Sequence, residues 1–186
     1  MVFASKCKVS TSRSLAKAIT EKALSCSISE NIQVLIANAT STPRFLTAST
    51  STTTTNYYFW YYYYKIINNA NIAITQIEKI TAGGSTKEWD YVLAQALYFR
   101  AYCYQQLVQW YSRRWSDKQG ESRGVPLRLD AGTDPMKAFS LKKVYKQVYD
   151  DLDRAIALFT SCGVERTDKW HPNIDCCHAA YSRAAI

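Results

Sequence analysis

From Tyr57 onward the apolar positions of the chain recur every three or four residues, the spacing of one buried helical face. Ile67, Ala70, Ile74, Ile77 and Ile80 form the first stripe and predict a helix from about Tyr57 to Thr81. Gly83-Gly84 ends it, because glycine fits the left-handed turn just past a helix terminus. Ser85-Thr86-Lys87-Glu88 then reads as a capping box, in which the Ser85 hydroxyl and the Glu88 carboxylate satisfy free backbone N–H groups reciprocally. Trp89, Val92, Leu93, Ala96, Phe99, Cys103, Leu107 and Trp110 carry a second stripe to around Arg113. So short a link predicts that the two helices form an antiparallel hairpin. A largely polar loop follows from Ser116 to Asp134 and contains Gly124-Val125-Pro126-Leu127. Ser140 is placed to cap a third helix, whose stripe is Leu141, Val144, Tyr145, Val148, Leu152, Ala155, Ile156 and Phe159. Gly163 closes it. A fourth helix is expected near Cys176 and is cut off at Ile186, so the pattern reads as a chain that stops within its fold.

Residues 1–56 lack this period. From Thr40 to Thr55, 11 of 16 residues are Ser or Thr, whose side chains compete for local backbone hydrogen bonds and favour loop or extended structure. A short helix over Leu15–Leu24 and one strand or helical turn at Ile32, Val34, Leu35 and Ile36 are the elements expected there. The chain thus divides into a poorly defined Ser/Thr-rich N-terminal segment, 1–56, and a helical region, 57–186. Helix pairs stacked in series predict an all-α fold of tetratricopeptide-like hairpins. The Trp, Leu-Gly and Tyr signature of that repeat is not cleanly matched. Six glycines and four prolines are few for a β-sandwich, and no run approaches the ~18 apolar residues of a membrane span.

Charge narrows the picture little. With 23 Lys+Arg against 15 Asp+Glu the 186 residues carry 23 − 15 = +8, divided evenly between residues 1–56 and 57–186. No basic run exceeds the pairs Arg113-Arg114 and Lys142-Lys143, so a nucleic-acid partner is not expected. Six cysteines, at 7, 26, 103, 162, 176 and 177, match neither a disulfide scaffold nor a paired CxxC zinc site. Cys103 falls within the second stripe as a small buried hydrophobe. His171, Asp175, Cys176, Cys177 and His178 are metal-ligating residue types. Adjacent cysteines cannot readily point at one tetrahedral ion, however, and no metal site is expected.

Chemistry is sparse. Ser-x-x-Lys spacing occurs at Ser5/Lys8, Ser14/Lys17 and Ser140/Lys143, without the companion motifs that make it catalytic. Nucleophile elbow, phosphate loop and metalloprotease motifs are absent. Asp150, Asp151 and Asp153 diverge around a helix and imply no glycosidase pair. The expectation is therefore no catalytic residue, no metal and no cofactor. Ala23-Leu24-Ser25-Cys26 loosely suggests a lipoprotein cleavage site, but Lys17, Glu21 and Lys22 interrupt the apolar run a signal needs. The start as written is not a signal peptide.

Three features invite a binding role. Tyr57 to Tyr64 are eight consecutive aromatics, able to stack on the C–H face of a sugar. On a helix they point all round, so Trp60, Tyr64 and Ile67 are expected to pack inward while the rest line a rim. Arg100, among apolar residues, calls for a carboxylate from a neighbouring helix, with Asp151 or Asp153 as partner. Trp110, Tyr111 and Trp115 beside Arg113 and Arg114 make a mixed patch at a helix end. Such a patch suits solvent, a sugar or a partner protein.

Three blocks of these residues together resemble the SusD/RagB family of outer-membrane glycan-binding lipoproteins of the Bacteroidota. The first is Trp60, Tyr64, Lys65, Ile67 and Ala70-Asn71. The second is Ala96-Leu97-Tyr98-Phe99-Arg100-Ala101-Tyr102 with Tyr104, Leu107 and Val108, followed by Gly124-Val125-Pro126-Leu127. The third is Val144-Tyr145, Val148, Asp151-Leu152 and Ala155-Ile156. The likeness covers roughly residues 57–162, more loosely Ala179-Ala180-Tyr181, and does not extend to 1–56. It departs from the family in the longer, more basic stretch between Trp110 and Gly124 and in the missing lipoprotein signal.

The resemblance implies the N-terminal part of a longer protein that captures oligosaccharides at the cell surface for a SusC-like TonB-dependent transporter. It implies attachment to the outer membrane through a lipid anchor not seen in this chain, with much of the glycan contact beyond it. No ligand-binding residue is assigned. The residues themselves leave another class open: an intracellular helical-repeat adaptor that binds a peptide in its concave groove. A remnant without function is the third reading.

Overall fold

The computed structural model describes residues 52–132, 134–165 and 170–185, with side chains from residue 58 onward. The helix expected at Leu15–Leu24, the apolar cluster at Ile32–Ile36, Cys7 and Cys26 lie outside the described residues. Among the described residues four α-helices follow in order: α1 (Thr52–Thr81), α2 (Lys87–Tyr111), α3 (Leu141–Cys162) and α4 (Ile174–Ala184). Between α2 and α3 lie a 3-10 turn (Trp115–Asp117) and two short strands, β1 (Arg123–Pro126) and β2 (Ala138–Ser140). The all-α, hairpin-built architecture expected from the periodicity is the one observed.

Helix α1 starts at Thr52, ahead of the expected Tyr57, so the threonine run opens the helix. The predicted stripe is its buried face: Ile67, Ala70, Ile74 and Ile77 are almost completely covered. Past Thr81 the chain turns through Gly84, whose φ of 131° is open to glycine and costly for other residues. Its N–H closes on the Thr81 carbonyl. The cap of α2 is Thr86, with its hydroxyl facing the Trp89 N–H at 3.5 Å. Ser85 instead donates to the Asp90 carboxylate. The N-cap thus lies one residue later than expected and no capping box forms, since Asp90 takes the Ser85 hydroxyl and Trp89 stands where the box needs an acid or amide.

Helix α2 is the centre of the molecule, packed between α1 and α3 and touching α4. From Leu93 to Val108 only Tyr98, Tyr102 and Gln106 escape full burial. A one-sided stripe understates this, because a helix covered on most sides must be apolar or small nearly all round. The stripe also ends earlier than expected, as Trp110 is 60% exposed. Buried Gln105 ties α2 to α4 by donating from Nε2 to the Ala180 carbonyl at 3.1 Å.

The strands were not expected. β1 and β2 pair antiparallel, Arg123 with Ser140 and Pro126 with Ala138, with an irregularity between. Gly124 lies so close to Phe139 and Leu141 that a Cβ would sit 3.1 Å from the Leu141 Cα and the Phe139 carbonyl. Val125 and Leu127 point into the core. This hairpin also caps α3: the Leu141 N–H donates to the Ser122 carbonyl at 2.9 Å and the Lys142 N–H to the Gly120 carbonyl at 2.8 Å. Ser140 stands at the N-cap as expected, yet its hydroxyl caps nothing, because those carbonyls take the leading donors. Gly163 ends α3 in the left-handed region, φ 59°. Asn173 caps α4 by accepting from the Cys176 N–H at 3.2 Å.

Central burial of α2 has a measurable consequence. Leu97→Ala, at a fully covered position, is expected to lower unfolding free energy by about 2–5 kcal/mol. Trp110→Ala is expected to cost about 1 kcal/mol or less, its ring being largely in solvent. Urea denaturation followed by circular dichroism separates the two, and equal losses would contradict this placement of α2.

Candidate functional site

Three buried polar residues, one from each of three helices, meet. Asn71 from α1, Arg100 from α2 and Asp151 from α3 are 0%, 6% and 3% exposed. Arg100 grips the Asp151 carboxylate with two bonds, Nε to Oδ2 at 2.8 Å and Nη2 to Oδ1 at 2.7 Å. Its Nη1 donates to the Asn71 Oδ1 at 3.0 Å, and Gln147 adds a donor to the Asp151 Oδ1 at 2.9 Å. Of the two partners open to Arg100, Asp151 is the one used. It shares a face of α3 with Val148, Leu152 and Ala155, whereas Asp153 is exposed. A planar guanidinium suits such a bidentate, desolvated pairing, which lysine does not reproduce.

From this centre hydrogen bonds run outward to the segment after β1. The Asn71 Nδ2 donates to the carbonyls of Arg128 at 3.1 Å and Asp130 at 2.9 Å. Tyr104, on the Arg100 side of α2, donates its hydroxyl to the Arg128 carbonyl at 2.7 Å and accepts from the Arg128 N–H at 2.6 Å. Tyr64 donates to the Pro126 carbonyl at 2.6 Å. Burial pushes the Tyr64 and Tyr104 hydroxyls well above their ordinary range, so both act as neutral hydrogen-bonding groups.

Where the held segment meets α1 there is an open groove of about 220 Å³, lined by Trp60, Tyr64, Pro126, Arg128, Asp134, Pro135 and Met136. Trp60 packs on Tyr64 at 4.8 Å between ring centres and edge-on to Tyr111 at 4.9 Å. Arg128 donates from Nη2 to the Asp134 carbonyl and lies 3.5 Å from the Asp130 carboxylate. The groove therefore offers aromatic faces on one side and a polar, partly charged wall on the other. That combination suits ligands with both C–H faces and hydroxyls.

The rest of the aromatic run lies along the same end. Ile67 is buried and Trp60 and Tyr64 are partly buried against the core, as expected, but Tyr62 and Tyr63 pack against it as well, while Tyr58 and Tyr61 are 60% and 56% exposed. Phe59 lies 5.9 Å from Trp110 with nearly parallel rings, and Tyr63 continues the row. Trp115 lies over Gly120, where a Cβ would fall 2.6 Å from its ring, and meets Tyr145 edge-on. Arg113 and Arg114 are exposed.

The cysteine and histidine cluster remains dispersed. Cys103, Cys162 and Cys177 are buried, and burial, aided by Cys176, pushes the Cys177 thiol up to about 12. Asp175 accepts from the Asn173 amide at 2.9 Å. Among the described residues no three His, Cys, Asp or Glu side chains are grouped to hold an ion, and no helix is long and apolar enough to cross a membrane. Pro126 and Arg128 were not singled out as wall residues by sequence reasoning, nor was the stretch from Asp134 to Met136. Only the Gly124-Val125-Pro126-Leu127 motif signalled that the loop was special.

Two outcomes follow. Asp151→Asn or Arg100→Met alone leaves a buried charge unpaired and is expected to cost about 3–5 kcal/mol in a denaturation experiment, whereas the double replacement Arg100→Met with Asp151→Leu recovers most of it. Equal losses in single and double variants would show that the pair is not coupled. The second outcome concerns alkaline pH. Burial, followed by Tyr102, raises the Tyr63 hydroxyl from 10.0 to about 12, and Tyr98 is raised for the same first reason. Above pH 10 the unfolded chain loses phenolic protons that the folded chain keeps, so stability falls as pH rises through 10 to about 12. A titration of tyrosinate absorbance that moves with, rather than before, loss of helix checks this.

The comparisons bear on the family and the helical fold. A family model described as "Starch-binding associating with outer membrane", SusD-like, matches residues 9–185. The match begins upstream of the three blocks, so the likeness reaches further toward the N-terminus than they do. No curated protein matches the chain. Among solved structures it is similar to a SusD-like carbohydrate binding protein from Bacteroides vulgatus ATCC 8482, with TM-score 0.60, 24% identity, and cover of 68% of this chain and 27% of that one. It is also similar to a SusD superfamily protein from Bacteroides thetaiotaomicron VPI-5482, with TM-score 0.58, 24% identity, and cover of 67% and 27%. The chain thus spans little more than a quarter of those structures, sharing their helical fold. With three helices joined through Arg100 at residues from all three sequence blocks, and a family match over nearly its whole length, the chain belongs to the SusD-like family.

Proposed function

We propose that this chain forms part of a carbohydrate-capturing protein at the outer surface of the cell. The family match over residues 9–185 carries this reading. The aromatic groove gives it a physical form: Trp60 and Tyr64 supply ring faces, while Arg128 and the Asp134 segment supply polar edges. Sugars are recognised by that pairing of an apolar face with fixed polar groups. The work is binding and hand-over without bond cleavage, and no cofactor is required. The partner in this account is a SusC-like TonB-dependent transporter, and a lipid anchor holds the protein to the outer membrane. The groove provides one wall of a glycan site that residues outside this chain complete.

Calorimetric titration of the intact protein with malto-, xylo- and manno-oligosaccharides tests the reading. At least one series is expected to bind, and Trp60→Ala is expected to weaken it about tenfold or more with helix content retained. Purification from native membranes is expected to bring down a TonB-dependent transporter. Binding of extended peptides with no sugar affinity and no transporter would support the adaptor class instead.

A further inference from the structure

We infer that Asn71, which does not line the groove, is a positioning residue for it. This rests on the reading of the groove as a carbohydrate site. Among the described residues, no backbone-to-backbone hydrogen bond outside the helices and strands involves residues 127–137. That stretch forms one wall of the groove, yet it is held by side chains. Asn71 is fully buried, and its single amide serves two carbonyls, Arg128 and Asp130, on either side of exposed Leu129. Which way that amide faces is not free. Arg100 donates to the Asn71 oxygen at 3.0 Å, so the nitrogen must face the segment. Arg100 is itself locked by Asp151.

The effect then passes along the chain. Asn71 and Tyr104 together fix the backbone of Arg128. The guanidinium of Arg128 holds the Asp134 carbonyl, beside Pro135 and Met136, further along the same wall. Buried side chains that do not themselves line the groove therefore set where this wall lies. Sites that recognise a ligand through a few fixed polar groups depend on such supporting contacts, because small displacements of the wall cost affinity.

The test uses the intact protein with Asn71→Asp and, as an independent release of the same segment, Tyr104→Phe. Asn71→Asp keeps an acceptor for Arg100 and removes both N–H donors; it is assayed at about pH 8, well above the ordinary carboxylate range. Amide hydrogen exchange is read at residues 128–130 and in α3, alongside calorimetric affinity for the malto-, xylo- and manno-oligosaccharides. The expected result is faster exchange at 128–130, unchanged protection in α3, and roughly tenfold weaker binding for both variants. Unchanged exchange at 128–130 would show that Asn71 does not hold the segment. Faster exchange with undiminished affinity would show that the groove does not depend on it. If the unsubstituted protein binds none of the three series, the carbohydrate reading fails and takes the groove's role with it, while the exchange data still decide whether Asn71 sets the segment.

Discussion

A guanidinium placed at the centre of a three-helix packing is the constraint around which this structure is arranged. Burying Arg100 requires that its donors be met on the spot, since an unpaired charge in such a setting costs several kcal/mol. Asp151 answers from α3 and Asn71 from α1. Those bonds tie one face of each of the three helices to the others, a directional constraint that apolar packing does not impose. Net stability is not its main product, because well-packed apolar residues can do as well. Its product is a defined arrangement.

That arrangement extends to a part of the chain with little regular structure. The loop after β1 runs across α1 and α2, held at Pro126, Arg128 and Asp130 by Tyr64, Tyr104 and Asn71. A segment without its own ladder of backbone bonds would ordinarily be loose. Here it is anchored at three successive points, and the groove is the space left between it and Trp60. Core and candidate site are in this sense one network, reached through hydrogen bonds from the helix interior.

Much of this was legible in the sequence, for physical reasons that also explain what was missed. Long amphipathic helices such as α3 declare themselves, because one face repeats over many turns. The Arg100 partner was narrowed to two aspartates, and helical phase favours Asp151, which falls among Val148, Leu152 and Ala155. The cap of α2 slid from Ser85 to Thr86 because two hydroxyls and two acids compete within six residues, a choice settled by geometry. The all-round burial of α2 was hidden by Ala94, Ala101, Gln95 and Gln105, which carry little hydrophobic signal yet lie inside. β1 and β2 are four and three residues long, and β1 includes Gly124 and Pro126, both poor strand formers, so their pairing depends on tertiary contacts. The wall from Asp134 to Met136 has no local pattern, and what ties it to Arg128 is a side-chain hydrogen bond that no sequence period announces.

The three sequence blocks therefore look like one feature seen three times. Asn71 belongs to the first, Arg100 and Tyr104 to the second, Asp151 to the third, and Pro126 to the loop motif between them. The direct test of the account is a crystal structure of the intact protein with an oligosaccharide that it binds in solution. The account predicts a sugar ring against Trp60 or Tyr64, with hydroxyls toward Arg128 or the Asp134 segment. A ligand seated wholly away from this groove, with the 126–136 segment unchanged, would contradict it.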